Sequence, residues 1–382
     1  MKNLLIVGIL FIVLQTQSQN LFSQNIIIIT TDGFRWQELF MGADPDILNQ
    51  TQFVKDTGLC NQLFGGATFI ERRQKLLPFF WSVIANQGLI AGNRMYHNQV
   101  NVANSFKISY PGYQELLTGK IPTRLNPNWM VNSKRATLLE KLNQNESFAG
   151  KVAAFASWSV IPFIMRAKHT NFTINAGYDP IESATNPMAD LLNQVFDSVP
   201  MNGHTRNDLI TYLAAKSYLE KNHPKVLFLG FGETDEYAHQ GKYDQYLFKA
   251  KQFDQLLMDL WYFIQSDAFY KNNTTLYITT DHGRGCNRKT WKSHGFWIKG
   301  SGEIWTAMIG SGVEQLGELK NTQTTYLYQL AAQIINVSGI KLSDTRTNEQ
   351  ISNISKMSKS NEWKNHLFLL NENNTSLVDK NK

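Results

Sequence analysis

The chain has 382 residues, 42% hydrophobic and 18% charged, with 25 glycines and 10 prolines, enough for one large globular domain or two. Its formal charge of +6 is carried by scattered lysines without a basic block or interleaved aromatics, so no nucleic-acid-binding surface is expected. Only Cys60 and Cys286 are present, which excludes a disulfide-framed scaffold and leaves stability to a core; spacing does not decide whether the two pair.

At the N-terminus Lys2 precedes an apolar run, Leu4 to Leu14, and then Thr16, Gln17 and Ser18. The run is short for a bilayer span and fits a signal peptide cut between Ser18 and Gln24, so residues 1–24 are expected to be a leader of an exported, periplasmic or extracellular chain. No later stretch is long and apolar enough for a second membrane segment.

Residues 25–345 are then expected to form the main domain. Asn25 to Thr31 is an almost continuous β-branched run, the pattern of a central parallel strand covered on both faces, and it stops at Asp32-Gly33. Leu76 to Ile84 is a helix candidate. In Ser109-Tyr110-Pro111-Gly112-Tyr113, Pro111 suits a first helical turn and Gly119 a helix end. Ser109 is thereby placed at a helix N-terminus, where free amides and the dipole favour an alkoxide or a phosphoryl group. As a plain N-cap the same serine needs no function.

Residues 120–200 are rich in proline, with a strand-like Lys151 to Ser157, and are expected to be largely an insertion capping the active edge. Asp208 to Lys221 has helical spacing, and Lys225 to Phe231 is another buried strand. Just beyond it Asp235 and His239 stand four apart, so one helical turn puts both on one side, the spacing of a two-ligand metal clip. Tyr246 to Ser266 is an amphipathic helix leading to the strand Leu276 to Thr280, which delivers Asp281-His282-Gly283. His294 follows, then a strand over Gly302 to Gly310 and helical spacing over Thr324 to Asn336. Residues 346–382 read as a polar tail with a short helix near Trp363 to Leu370.

Ligands collect outside the C-terminal ends of strands in open α/β sheets. The residues gathered there are Asp32, Asp235, His239, Asp281, His282 and His294, with Ser109 at a helix start. Carboxylates and imidazoles in that number suit two divalent cations, zinc or alternatively manganese, clamping a displacement at phosphorus. Arg35 and Arg284, each close after one of the acids, offer forks for a phosphate oxygen. His97, His169, His204, His223 and His366 lack such a context and are expected to be surface or structural.

Taken in order, strand-Asp-Gly, S-Y-P-G-Y…T-G, D-E-Y-A-H, T-D-H-G and S-H-G make a pattern that resembles the alkaline phosphatase superfamily over about residues 25–340. The similarity leans to its nucleotide pyrophosphatase/phosphodiesterase-like branch and related exported bacterial phosphatases. The resemblance implies an α/β three-layer sandwich with a central, mostly parallel sheet between helices. It implies one metal on Asp235, His239 and His294, a second on Asp32, Asp281 and His282, and Ser109 as the phosphorylated nucleophile. The phosphodiesterase branch usually has Thr there, with an Asn about twenty residues later on a phosphate oxygen; the window Asn126 to Asn132 makes Asn128 the candidate. Tyr113 stands where a sulfatase motif has Arg, which argues against a formylglycine sulfatase, and the leader argues against a cytoplasmic phosphoglycerate mutase. The expected function is hydrolysis of a small phosphate ester through a phosphoserine. The alternatives are phosphoryl or phosphoethanolamine transfer at the same site, or a non-catalytic metal-binding surface protein.

Overall fold

The computed structural model describes residues 25–124, 129–181, 187–199 and 202–338. The leader, the tail beyond 345 and Asn128 lie outside the described residues.

Eleven short strands are β1 (Asn25–Thr31), β2 (Gly88–Ala91), β3 (Asn98–Asn101), β4 (Val152–Ala156), β5 (Thr173–Ala176), β6 (Val226–Phe231), β7 (Thr274–Thr279), β8 (Glu303–Ile304), β9 (Thr306–Gly310), β10 (Gly317–Glu318) and β11 (Gln323–Tyr326). Eight of them form one sheet in the order β10-β2-β9-β7-β1-β6-β4-β5, and β11-β3-β8 form a small second sheet. In the large sheet β7, β1, β6, β4 and β5 are parallel neighbours, and β9 runs against both strands beside it.

Alternate side chains of the central strands feed two separate cores, as a period of two dictates. Ile27, Ile29, Leu227, Leu229, Leu276 and Ile278 pack on one face with the helices Trp36–Met41 and Tyr243–Ser266. Ile26, Ile28, Val226, Phe228 and Tyr277 pack on the other with the helices Ser109–Thr118 and Leu327–Val337. The isoleucines of β1 are essentially inaccessible, each contributing on the order of 1.5–3 kcal/mol of apolar burial. A sheet covered on both faces leaves its strand ends as the natural place for chemistry. Thr30 pairs with Thr279 and Thr31 with Phe231, so Asp32, Asp281 and the turn after β6 leave the sheet side by side.

Within residues 120–200, the stretch expected to cap the active edge, β4 lies inside the large sheet and β5 at its edge, with loops and short helices around them. Three expectations are corrected. Leu76 to Ile84 is not one helix. The helix Phe69–Leu76 stops before Pro78, whose ring disfavours helical backbone at Leu77, and the chain resumes as a π-helical turn, Phe80–Ile84. The Gly302 to Gly310 strand is two, β8 and β9 in different sheets, divided at the buried Trp305. Thr324 to Asn336 begins as β11 and becomes helical only at Leu327.

Candidate metal-ester active site

Each functional side chain is delivered by a strand end or a helix start. β1 ends at Asp32-Gly33, and Gly33 has φ +57°, where a Cβ would stand 2.5 Å from Asp235 Oδ1. Glycine there lets the chain turn back and donate its amide to Asp281 Oδ1 at 3.1 Å, tying the ends of β1 and β7 together. Ser109 opens the helix Ser109–Thr118, which Gly119 closes in the left-handed conformation. That helix approaches Asp281 so closely that a Cβ on Gly112 would lie 2.3 Å from the Asp281 carbonyl oxygen. Beyond β6 the helix Glu233–His239 puts Asp235 and His239 one turn apart.

The side chains converge. Ser109 Oγ is 3.1 Å from His282 Nε2 and donates to Asp32 Oδ1 at 3.4 Å. His282 Nε2 lies 3.3 Å from Asp32 Oδ1, 3.5 Å from Asp281 Oδ2 and 3.9 Å from Asp235 Oδ1. His239 Nε2 is 3.0 Å from Asp235 Oδ2 and 2.9 Å from His294 Nε2, which is 3.8 Å from Asp235 Oδ1. The rings of His282 and His294 stack with centroids 4.0 Å apart. Two sets of donor atoms, Asp32/Asp281/His282 and Asp235/His282/His294, each fall within 4.8 Å of one another. His282 is the shared wall.

The electrostatics are those of anions crowded together out of water. Burial, and then the negative charge of Asp235, raise the Asp32 carboxyl above its usual range. Burial, followed by Asp32, raises Asp281 well above it. For Asp235 burial acts upward, but Arg284 and then His239 outweigh it and hold the carboxyl well below. Burial disfavours a charge on His282, yet Asp281 and Asp32 overcome it and push the imidazole up to about 9. His294 is pressed well below its usual value by burial and by the neighbouring His282. One oxygen, Asp281 Oδ2, is buried without a hydrogen-bond partner. An orphaned carboxylate oxygen beside two further acids and three imidazoles is a donor set that fits cations of the zinc class.

The substrate contacts fare differently. Arg35 does not reach the site: its guanidinium is fully buried and paired with Glu38 at 3.0 Å and Asp44 at 3.3 Å, a structural cation in the helix-side core. A wholly buried side chain held by two acids presents no open fork to an ester. Arg284 does reach it, pairing with Asp235 while its other nitrogens donate to the carbonyls of Trp291 and Lys292. It braces a candidate ligand rather than facing open space.

Three supporting residues escaped the sequence reading. Asp208 accepts from the amides of Gly232 and Glu233 at 2.8 and 3.1 Å, holding the start of the helix that carries Asp235 and His239. Thr234 donates to the Asp32 carbonyl at 2.6 Å. Glu115, fully buried within the Ser109 helix, accepts from the amides of Ala103 and Asn104 at 2.8 and 2.9 Å and so fixes the loop leading to Ser109. An acid on an otherwise buried helix was the available signal for Glu115; the other two partners meet only in the fold.

The sequence profile of the type I phosphodiesterase / nucleotide pyrophosphatase family matches residues 86–315. The chain belongs to that family. Several solved structures share its fold. Wild-type alkaline phosphatase PafA is 10% identical with a TM-score of 0.55, over 84% of this chain and 96% of that one. The lipoteichoic acid synthase LtaP from Listeria monocytogenes is 13% identical with a TM-score of 0.54, over 85% and 75%. BT1596, a 2-O GAG sulfatase, is 14% identical with a TM-score of 0.53, over 84% and 71%. At such identities the likeness concerns the fold. No curated protein matches the sequence. Among the described residues of this phosphodiesterase-family chain, no helix is long and apolar enough to cross a membrane.

Proposed function

We propose that this family member is a two-metal phosphoric-ester hydrolase working through a phosphoserine, and that it acts outside the cytoplasm, as its leader suggests. The observation that carries the reading is the placement of Ser109 Oγ within hydrogen-bonding distance of both His282 Nε2 and Asp32 Oδ1, beside the unpartnered Asp281 Oδ2. Asp32, Asp281 and His282 would hold one divalent ion; Asp235, His239 and His294 would hold the other. When bound, zinc or manganese ions supply charge neutralisation for a phosphoryl group and lower the pKa of a nearby hydroxyl.

The chain's own part follows from its geometry. The Ser109 hydroxyl donates to Asp32 Oδ1 with His282 Nε2 beside it, and the N-terminal dipole of its helix favours the oxyanion that forms. Ser109 Oγ attacks phosphorus in line; the Oγ–P bond forms as the bond to the leaving oxygen breaks, and the leaving alkoxide takes up a proton. Water then attacks the same phosphorus, the Oγ–P bond breaks, and Ser109 regains its hydrogen while phosphate, or a phosphomonoester from a diester, departs. Positioning and electrostatics do most of the work in such displacements. The helix start and the braced strand ends supply both.

The test is hydrolysis of 4-nitrophenyl phosphate and its bis-ester by wild type and Ser109→Ala, before and after EDTA. The reading expects turnover that is lost in the variant and in chelator, and restored by added zinc or manganese. Turnover surviving both treatments ends it. Running the reaction with and without acceptor alcohols reports whether the phosphoryl group goes to water or to an acceptor.

A further inference from the structure

The segment after Asp281 carries a surface that the chemistry above does not use. Between Gly283 and Gly302 there is no Asp or Glu, while Arg288, Lys289, Lys292 and Lys299 are all exposed. None of these four forms an ion pair among the described residues. The same segment presents Trp297, 89% exposed, and Phe296, 54% exposed, packed edge to face at 4.6 Å. This aromatic pair sits on an anchored turn: Gly295 has φ +126° and donates its amide to Ser301 Oγ at 3.1 Å, and Ile298 donates back to Gly295 at 3.1 Å. His294 Nδ1 contacts the Lys107 carbonyl at 3.3 Å, fixing the turn against the residues just before Ser109.

A second apolar tip meets the same helix start. Trp129, 69% exposed, leads into Met130 and Val131, both exposed, and the Val131 carbonyl accepts from the Tyr110 hydroxyl at 2.6 Å. The stretch from Lys120 to Arg135 is also free of acids and contains Lys120, Lys134 and Arg135. Two exposed aromatic stretches, residues 288–299 and 129–131, are thus tied to residues 107 and 110, on either side of Ser109 in the chain.

Exposed Trp and Phe on an anchored turn, in a segment whose four exposed cations form no ion pair among the described residues, is the composition that seats in the headgroup layer of an anionic bilayer: the ring enters the interface and the lysines meet lipid phosphates. We infer that this rim docks the enzyme on an anionic lipid surface. The charge selects the occupant, because a neutral partner would leave four desolvated cations unmatched, and a soluble polyanion would leave the tryptophans without an apolar partner. Docking needs neither metal nor turnover, so it stands or falls separately from the hydrolase reading.

Vesicle sedimentation with the purified full chain tests it, using phosphatidylcholine vesicles with and without phosphatidylglycerol. Binding is expected to require phosphatidylglycerol and to weaken with salt. Lys289→Ala combined with Lys292→Ala should lower partitioning about 25-fold, from roughly fivefold per cation. Trp297→Ala should lower it about tenfold. The apolar stretch Leu4 to Leu14, where retained, adds an equal background to every variant and does not respond to these changes. Equal binding to both vesicle types, or variants that bind like wild type while keeping the wild-type circular dichroism spectrum, overturns the inference. Salt-sensitive binding indifferent to Trp297→Ala would mark a general polyanion patch and overturn it as well.

Discussion

The two halves of the site are built differently. The Asp32/Asp281/His282 half stands on strand ends with Asp281 and His282 wholly inaccessible, whereas His239 on the other half is about half exposed on a seven-residue helix. One side is a preformed cage of strained electrostatics, with raised carboxyls and an orphaned oxygen. The other is an open clip whose acid, Asp235, already has a cation in Arg284. A buried cage holds charge that must be compensated; on the other half His239 alone is widely open to solvent, beside the largely buried Asp235 and His294.

The largest effect expected lies between the halves. Ser109→Ala should reduce ester hydrolysis by at least about 10³-fold with metal content unchanged, measured as kcat on 4-nitrophenyl esters beside elemental analysis. Next, Asp281→Asn should remove the buried-half ion altogether. It should also raise the melting temperature of metal-free protein, since burial raises the Asp281 carboxyl and folding must hold a proton there that the unfolded chain releases, a cost the amide lacks while Gly33 keeps its acceptor. His239→Ala should weaken only the open-half ion and leave metal-free stability near wild type. If calorimetry showed the two variants behaving alike, the distinction would fail. Arg284→Ala is the finer test: it removes the brace on Asp235 and should weaken open-half metal binding by about 10- to 100-fold, as loss of an orienting partner does elsewhere.

The smallest expected effect lies away from both. Asp254 is buried and accepts from the amides of Phe79 and Phe80 at 2.9 and 2.8 Å. Burial pushes its carboxyl up to about 6, the two amide hydrogen bonds only partly opposing it. The folded protein therefore keeps a proton that the unfolded chain has released, so Asp254 lowers stability as pH rises from about 4 to about 6, by at most about 3 kcal/mol, and has no further effect above that. Denaturant melts across that window should show a shallower fall in Asp254→Asn.

How much of this was legible in sequence follows from which signals are local. β1, β6 and β7 were readable because strands buried on both faces are continuous apolar runs, and their terminal acids because Asp-Gly and Asp-His-Gly interrupt those runs. The Ser109 helix was readable from Pro111 and Gly119. β4 and β5 were absorbed into an expected cap because runs of only five and four residues between prolines do not announce which sheet they join. Arg35 misled because proximity to Asp32 in sequence says nothing about Glu38 and Asp44, which claim its charge once the helix forms. Asp208 and Thr234 act through long-range pairing that no periodicity encodes.

The most direct test of the central claim is the metal stoichiometry of purified protein, by elemental analysis after dialysis into zinc, for wild type and Asp281→Asn side by side. The account predicts about two ions per chain in wild type and about one in the variant. Wild-type protein that retains no ion, or a variant that retains as many as wild type, contradicts it.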